Sequence, residues 1–370
     1  MKPTSSPIDG LVLVGDQFRP ALVRFGHRIE AVEPQSRVRD DQFIIPGFVD
    51  SHSHGGGGAD VMDGAAAVAR VADFHLRHGT TTLLPTTVTA PKEELLAAFA
   101  GIAEARRDGS AIRADLPGVH LEGPFINPDK LGAQPPFAIP PDLELFDRLY
   151  DRAPVIVATI APENDPGHRL ISHMCHRGTK VQIGHSLASC AQCRDAMAAG
   201  VAGFTHLFNA MSGADHRRPG VAAAALAFGS HAEIIPDLLH VDAAMLMMAR
   251  RAIPGLYAVT DAMAAAGCPA GAYRLGTHDV ISDGSSARLQ DGTLAGSILT
   301  MNRAFANFLA LGMPMVEAAQ RTSTIAARYL GLADRGRIAP GLRADLLVVD
   351  GNGRLREIYC GGVPVEPAAE

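Results

Sequence analysis

A chain of 370 residues with a 47% hydrophobic fraction has room for a barrel-sized domain and a small companion, and its composition excludes a disordered protein. A net charge of -6 excludes general attraction to nucleic acid or to anionic membranes, so an anionic ligand must be met by a few placed cations. Neither the opening MKPTSSPIDG nor the longest apolar run, VAAAALAF at 221–228, reads as a secretory core or a bilayer span, and a cytoplasmic protein is expected.

In chain order, residues 8–33 read as short strands with glycine turns and no long helix, and residues 338–366 read the same way. The simplest packing joins the two ends, 1–47 and 338–370, into one small β-sandwich domain beside a larger domain over 48–337. Between the flanks run eight short apolar segments: FIIPGFVD, TTTLLPTT, GVHLEGPF, VIVATIAPE, KVQIGHS, GFTHLFNAM, EIIPDLLHV and LYAVTDAM. They alternate with amphipathic or Ala-rich stretches such as 65–78, 91–107, 188–200 and 242–252, the pattern of a parallel sheet. Eight such units predict an α/β fold, a closed (β/α)8 TIM barrel. The scarcity of aromatic residues suits parallel strands covered by helices. A Gly-rich insertion at 267–295 follows the eighth strand, where barrels carry active-site loops. The cysteines at 175, 190, 193, 268 and 360 form no disulfide framework, and Cys190 with Cys193 reads as two helix-packed thiols rather than half a zinc site.

The ends of these strands concentrate polar residues. The first ends in His52 and His54, the third in Glu122, the fifth in His185, the sixth in His206, the seventh in His240 and the eighth in Asp261. In a parallel barrel all of them face one mouth. Residues i and i+2 of a strand point the same way, so His52 and His54 reach one site, and adjacent strands let His185 and His206 share an ion with Glu122. A divalent metal held by imidazoles and a carboxylate makes water nucleophilic near neutral pH, and Asp261 suits the general base that passes a proton to a leaving amine. His75, His78, His173, His176 and His231 read instead as ordinary core or surface histidines. The run GGGG at 55–58 lacks the Lys-Ser/Thr of a Walker loop; it reads as close backbone approach with a sharp exit, with an anion-binding nest as the alternative.

The motifs PGFVDSHSHGGGG, HLEGPF, IGHS, THLFNAM, LHVD and TDAM, in this order, resemble the N-acetylglucosamine-6-phosphate deacetylases of the amidohydrolase superfamily. The resemblance spans nearly the whole chain. It implies an amidohydrolase-type barrel and the removal of acetate from a 6-phosphorylated N-acetylhexosamine. It implies Glu122, His185 and His206 as principal metal ligands, His52 and His54 as the site of a second ion bridged through Glu122, and Asp261 as acid and base. For the sugar phosphate it implies Asn209, Ala210, Arg217 and His240, part of the grip coming from a neighbouring subunit and hence a homodimer. The metal is one or two divalent ions, zinc first, with iron and manganese open. Members of the family usually carry a histidine where this chain has Gln134 in KLGAQPP; a neutral amide still donates a hydrogen bond to an oxyanion but carries no charge. The galactosamine epimer competes as substrate. A cyclic amide or N-acyl amino acid substrate is disfavoured by Glu122 in place of a carboxylated lysine, and a silent protein by the full set of candidate ligands.

Overall fold

The computed structural model describes residues 7–108 and 114–369. Residues 1–6, most of the stretch read for a targeting signal, lie outside the described residues, as do 109–113 and 370. The eight barrel strands are Phe48–Ser53, Thr80–Thr87, Val119–Glu122, Val155–Ile160, Lys180–Ile183, Gly203–Phe204, His231–Ile234 and Gly255–Ala258. The first six form one parallel sheet in chain order, and the last two pair in parallel. Two hydrogen bonds bridge the gaps: Leu207 N to Glu233 O at 2.9 Å joins the sixth strand to the seventh, and Asp261 N to His52 O at 2.8 Å joins the eighth to the first. The sheet is therefore closed. TTTLLPTT at 80–87 is buried at every position because its neighbours fill the barrel on one side and helices cover the other, which a half-buried strand with polar alternation would not tolerate.

Helices Ala65–Leu76, Lys92–Arg107, Leu143–Tyr150, Arg169–His176, Cys190–Ala198, Val221–Phe228, Ala243–Ala252 and Met301–Ala310 follow the strands in turn. The last is separated from the eighth strand by the insertion, whose strands Gly271–Leu275, His278–Ser282 and Ala287–Arg288 form a small antiparallel sheet. Val88, Met263, Leu275 and Val280 pin that sheet to the barrel rim through an apolar cluster of its own.

Two sequence expectations shift. The run FIIPGFVD divides at Gly47: Phe43–Pro46 pairs with Leu346–Val349, and Phe48–Ser53 opens the barrel. A Cβ at Gly47 would lie 2.1 Å from Thr81 Oγ1, so the crossing between the sheets admits only glycine without a rearrangement. The seventh strand begins at His231 and ends at Ile234 rather than running over 233–241, because Pro236 has no N–H to continue the ladder. His240 consequently sits on a loop.

Both chain ends meet in a seven-stranded sheet, ordered Val363–Val365, Leu355–Cys360, Leu346–Val349, Phe43–Pro46, Ile8–Val14, Gln17–Phe25, Ile29–Pro34. Its central strands are apolar on both faces. Val12, Ile44, Leu346 and Val348 enter a separate core with Val23 and Ile29. Their neighbours Leu13, Ile45, Leu347 and Val349 pack into the barrel's core, as the two-residue period of a strand requires.

Candidate metal centre and active site

The candidate ligands arrive from four strand ends, Asp261 from a fifth, and all meet at one point. Glu122 Oε1 lies 2.9 Å from His206 Nε2 and 3.2 Å from His185 Nε2, and these two nitrogens are 3.0 Å apart. On the other side, His54 Nε2 is 3.2 Å from Glu122 Oε2, and His52 Nε2 is 3.3 Å from His54 Nε2. Asp261 Oδ1 faces both first-strand histidines, 3.4 Å from His52 Nε2 and 3.2 Å from His54 Nε2. The loops carrying these groups are bent against their residues' preferences. His185, His206, Phe208, Ala210 and Asp261 all have positive φ, between 28° and 79°, and non-glycine residues hold that conformation only where their surroundings over-determine it.

The hydrogen bonds behind the rings fit a cation. His185 Nδ1 faces Lys130 O at 2.8 Å, His54 Nδ1 faces Thr86 O at 2.9 Å, and His52 Nδ1 faces Glu233 Oε2 at 2.9 Å. Each of these acceptors requires the proton on Nδ1, so the Nε2 lone pairs turn toward one another and toward Glu122. Lone pairs directed at each other across about 3 Å need positive charge between them. Ligands about 2.0–2.1 Å from a tetrahedral ion lie about 3.3 Å apart, the spacing found here. Glu122, His185 and His206 form one group able to hold an ion, and His52, His54 and Glu122 a second that shares the carboxylate. A third cluster, His52, His120 and Glu233, is a brace: His120 spends Nδ1 on Ser51 O at 3.0 Å and Nε2 on Thr159 Oγ1 at 2.8 Å.

Electrostatics carries the same message. Without a metal ion a proton would take its place on Nε2: burial opposes the charged form of His52 and His54, yet Glu122, Asp261 and Glu233 raise His52 well above its usual range, and Asp261 and Glu122 raise His54 to about 9. Burial would raise Glu122 and Asp261, but the imidazoles around them hold both below the normal carboxylate range. Buried carboxylates at this density require a compensating cation.

A cavity of about 410 Å³ opens onto this centre. His54, Glu122, Gln134, His185, His206 and Asp261 line its floor, and Asn209, Ala210 and His240 also line it. Gln134 is gripped at both ends: Thr89 N–H donates to its Oε1 at 2.6 Å, and its Nε2 donates to Glu122 Oε2. Asn209 Nδ2 caps His206 O at 3.1 Å, which stiffens the bent THLFNAM segment. Arg217 is exposed on the loop before Val221–Phe228 and does not line the cavity of its own chain. The residues set aside as ordinary have ordinary partners, such as buried His75 on Gly55 O at 2.9 Å and His173 on Asp147 at 2.8 Å.

Sequence reading missed three participants. Glu233 accepts from His52 and from Ser51 Oγ at 3.1 Å, and its signal was a lone acid in an apolar strand. Asp237 Oδ2 holds His240 Nδ1 at 2.7 Å, in the Pro-Asp turn that ends the seventh strand. Arg288, within the insertion, lines the cavity.

The four glycines make a hairpin, Gly55–Gly56 against Ala59–Asp60, with φ of 60° at Gly57 and 78° at Gly58 as a two-residue turn of that kind requires. The anion nest is excluded: the N–H groups of Gly55, Gly57 and Gly58 donate to carbonyls of Ala262, Ala266 and Ala264 at 2.8–2.9 Å. The hairpin is sewn to the loop after Asp261.

The amidohydrolase family profile matches residues 43–366. The chain is 38% identical over 338 residues to the N-acetylglucosamine-6-phosphate deacetylase of Bacillus subtilis, covering 87% of this chain and 84% of that one. It is 36% identical over 346 residues to the N-acetylgalactosamine-6-phosphate deacetylase of Escherichia coli O157:H7, covering 90% and 91%. Among solved structures, an N-acetyl-D-glucosamine-6-phosphate deacetylase variant from Mycobacterium smegmatis in complex with N-acetyl-D-glucosamine-6-phosphate superposes with TM-score 0.91 at 34% identity, over 97% of this chain and 99% of that chain. The Thermotoga maritima enzyme of the same name superposes with TM-score 0.91 at 30% identity, over 98% and 99%. With its closed barrel, its strand-end histidines and this extent of likeness, the chain belongs to the amidohydrolase family and, within it, to the N-acetylglucosamine-6-phosphate deacetylase family.

Proposed function

We propose that this protein is a metal-dependent hydrolase that removes the acetyl group of N-acetylglucosamine 6-phosphate, giving glucosamine 6-phosphate and acetate. The observation that carries the reading is the convergence of His185, His206, His52 and His54 on Glu122, with Asp261 beside them, at the floor of a cavity wide enough for a sugar. Glu122, His185 and His206 would hold one divalent ion, and His52, His54 and Glu122 could hold a second; imidazole and carboxylate donors favour zinc. When bound, such an ion supplies Lewis-acid charge for an acyl carbonyl and acidifies water.

The chain's own groups do the rest. Asp261, beside His52 and His54, takes a proton from the attacking water and returns it to the sugar nitrogen as the C–N bond breaks. Gln134 spends one Nε2 hydrogen on Glu122 and has a second for the developing oxyanion, and its fixed Oε1 keeps that donor aimed. Asn209, Ala210 and His240 bind the sugar phosphate, His240 being oriented by Asp237. Arg217, exposed in its own chain, serves the neighbouring subunit of a homodimer. A cytoplasmic setting accords with five free cysteines. Among the described residues no helix is long and apolar enough to cross a membrane.

The test is acetate release from N-acetylglucosamine 6-phosphate, its galactosamine epimer and unphosphorylated N-acetylglucosamine, on protein of known metal content. Phosphate-dependent turnover of the glucosamine compound supports the reading. Preference for the epimer moves the substrate assignment to the galactosamine series, and no turnover of any of the three by metal-loaded protein overturns the deacetylase.

A further inference from the structure

The rim of the cavity contains a cation that the proposed site does not use. Among the described residues, Arg288 is the lone arginine or lysine lining it. A chain of local bonds holds it in place. Asp283 Oδ1 accepts the N–H groups of Ser285 and Ser286 at 2.8 and 2.7 Å, Ser286 Oγ accepts from Arg288 Nε at 3.3 Å, and Gly292 O accepts from Arg288 Nη1 at 2.9 Å. The two acceptors of Arg288 itself, a hydroxyl and a backbone carbonyl, are neutral. No carboxylate pairs directly with the guanidinium among the described residues, Asp283 reaching it only through Ser286 Oγ, and Nη2 has no partner there, so a braced positive charge keeps a free donor beside a substrate cavity.

Its place along the cavity is set by the ribbon. Gly296 lies against Asp261, since a Cβ there would be 3.0 Å from Asp261 O. Leu294 is two residues on, at most about 7 Å away, and Arg288 bridges it across a further ~5 Å. Arg288, Leu294, Gly296 and Asp261 thus line one cavity, with Arg288 on the insertion side of it.

We propose that Arg288 is a specificity-determining residue, the cation that engages the 6-phosphate of the sugar within a single subunit. The inference rests on the deacetylase reading above. An arginine fork matches a phosphate dianion, and a fork whose other hydrogens go to neutral oxygens keeps its charge for the ligand. The neighbour's arginine then adds to a grip that the insertion begins.

The experiment compares wild type, Arg288→Met and Arg288→Lys, all metal-loaded, on N-acetylglucosamine 6-phosphate and on its unphosphorylated form. Arg288→Met is expected to raise KM for the phosphorylated sugar by about tenfold or more, to change kcat much less, and to lower the phosphorylated-to-unphosphorylated ratio of kcat/KM about tenfold. Arg288→Lys is expected to recover part of that ratio. An unchanged ratio in Arg288→Met, or an equal loss on both sugars, overturns the proposal. Calorimetric binding of glucose 6-phosphate, which has no acetyl group, reads the same contact without turnover. Weaker binding to Arg288→Met supports the proposal and equal binding sinks it, even if the wild type were to deacetylate neither sugar and the proposed activity itself fell.

Discussion

As the proposed acid and base, Asp261 would combine two demands that conflict in most carboxylates: to stay ionised while buried, and to keep a lone pair for a proton in transit. The structure meets the first by setting Oδ1 against His52 and His54, and the second by leaving the residue on the cavity wall. Replacing it with asparagine keeps the shape and removes the base, so kcat should fall by about 10²- to 10⁴-fold. Metal analysis of the same variant should still find at least one ion per chain, because Glu122, His185 and His206 are untouched; full activity would remove Asp261 from the reaction. Glu233 permits a second test. It fixes the His52 tautomer from below, and losing such a carboxylate typically costs about 10- to 100-fold in metal affinity. In Glu233→Gln, metal titration should show one ion weakened by that factor while an ion at His185 and His206 is retained. That Glu122, His52, His54, His185, His206 and Asp261 would meet was legible because each lies at or just past the end of a strand, where side-chain direction follows from topology. Glu233 was not, since it faces the barrel interior beneath the ligands and only packing places it under His52.

The glycine hairpin shows how an element can be fixed by what it cannot accommodate. A Cβ at Gly55 would lie 2.5 Å from Ala59 O and 2.8 Å from Ala264 N, both backbone atoms that cannot swing aside. Gly55→Ala should therefore destabilise the fold by about 1–3 kcal/mol, measured by denaturant unfolding of metal-free protein. The alternative seen in sequence, an anion nest, failed for a reason no single sequence displays: the amides are already spent on carbonyls of residues 262–266. A second joint ties helix Ala243–Ala252 to Met315–Ala319. Glu317 accepts from Arg250 Nε at 2.7 Å and Arg321 Nε at 2.8 Å, and these bonds lower its carboxyl to about 2. A carboxyl depressed in the folded state adds stability above its unfolded value, near 4.5, and loses that contribution as pH falls toward about 2. The Tm difference between wild type and Glu317→Gln should be largest near neutral pH and shrink below about pH 4.5; a difference independent of pH would mean that the pair acts through packing alone. Exposure of Glu317 keeps the effect modest.

At the scale of the whole molecule, strand count and helix alternation announced the barrel, and the matching composition of the two flanks announced that the ends meet. What sequence did not disclose was the splitting of FIIPGFVD between two sheets and the early end of the seventh strand, because both depend on contacts with Thr81 and on a proline's missing donor rather than on hydrophobic period. The chain's surface poses the last question. Six of the eight large hydrophobic residues exposed among the described ones, Leu187, Phe228, Leu238, Leu239, Met245 and Met248, fall within one stretch of sequence that also holds exposed Arg217. The homodimer proposed above would draw on the surface of this part of the chain. If a two-fold dimer covers it and each cavity borrows the partner's Arg217, then Arg217→Ala and Asp261→Asn damage different subunits of the same site. Each variant alone should be impaired. When the two are refolded together, random pairing should regenerate intact sites, one per mixed dimer and about a quarter of the wild-type number, because the Arg217→Ala subunit keeps its own Asp261 and receives an intact arginine from its neighbour. Recovery to about that level on N-acetylglucosamine 6-phosphate, in a species sedimenting as two chains, would establish the shared site. Activity no greater than the sum of the separate variants would mean that Arg217 does not cross to a neighbouring cavity, leaving the phosphate to groups of a single chain.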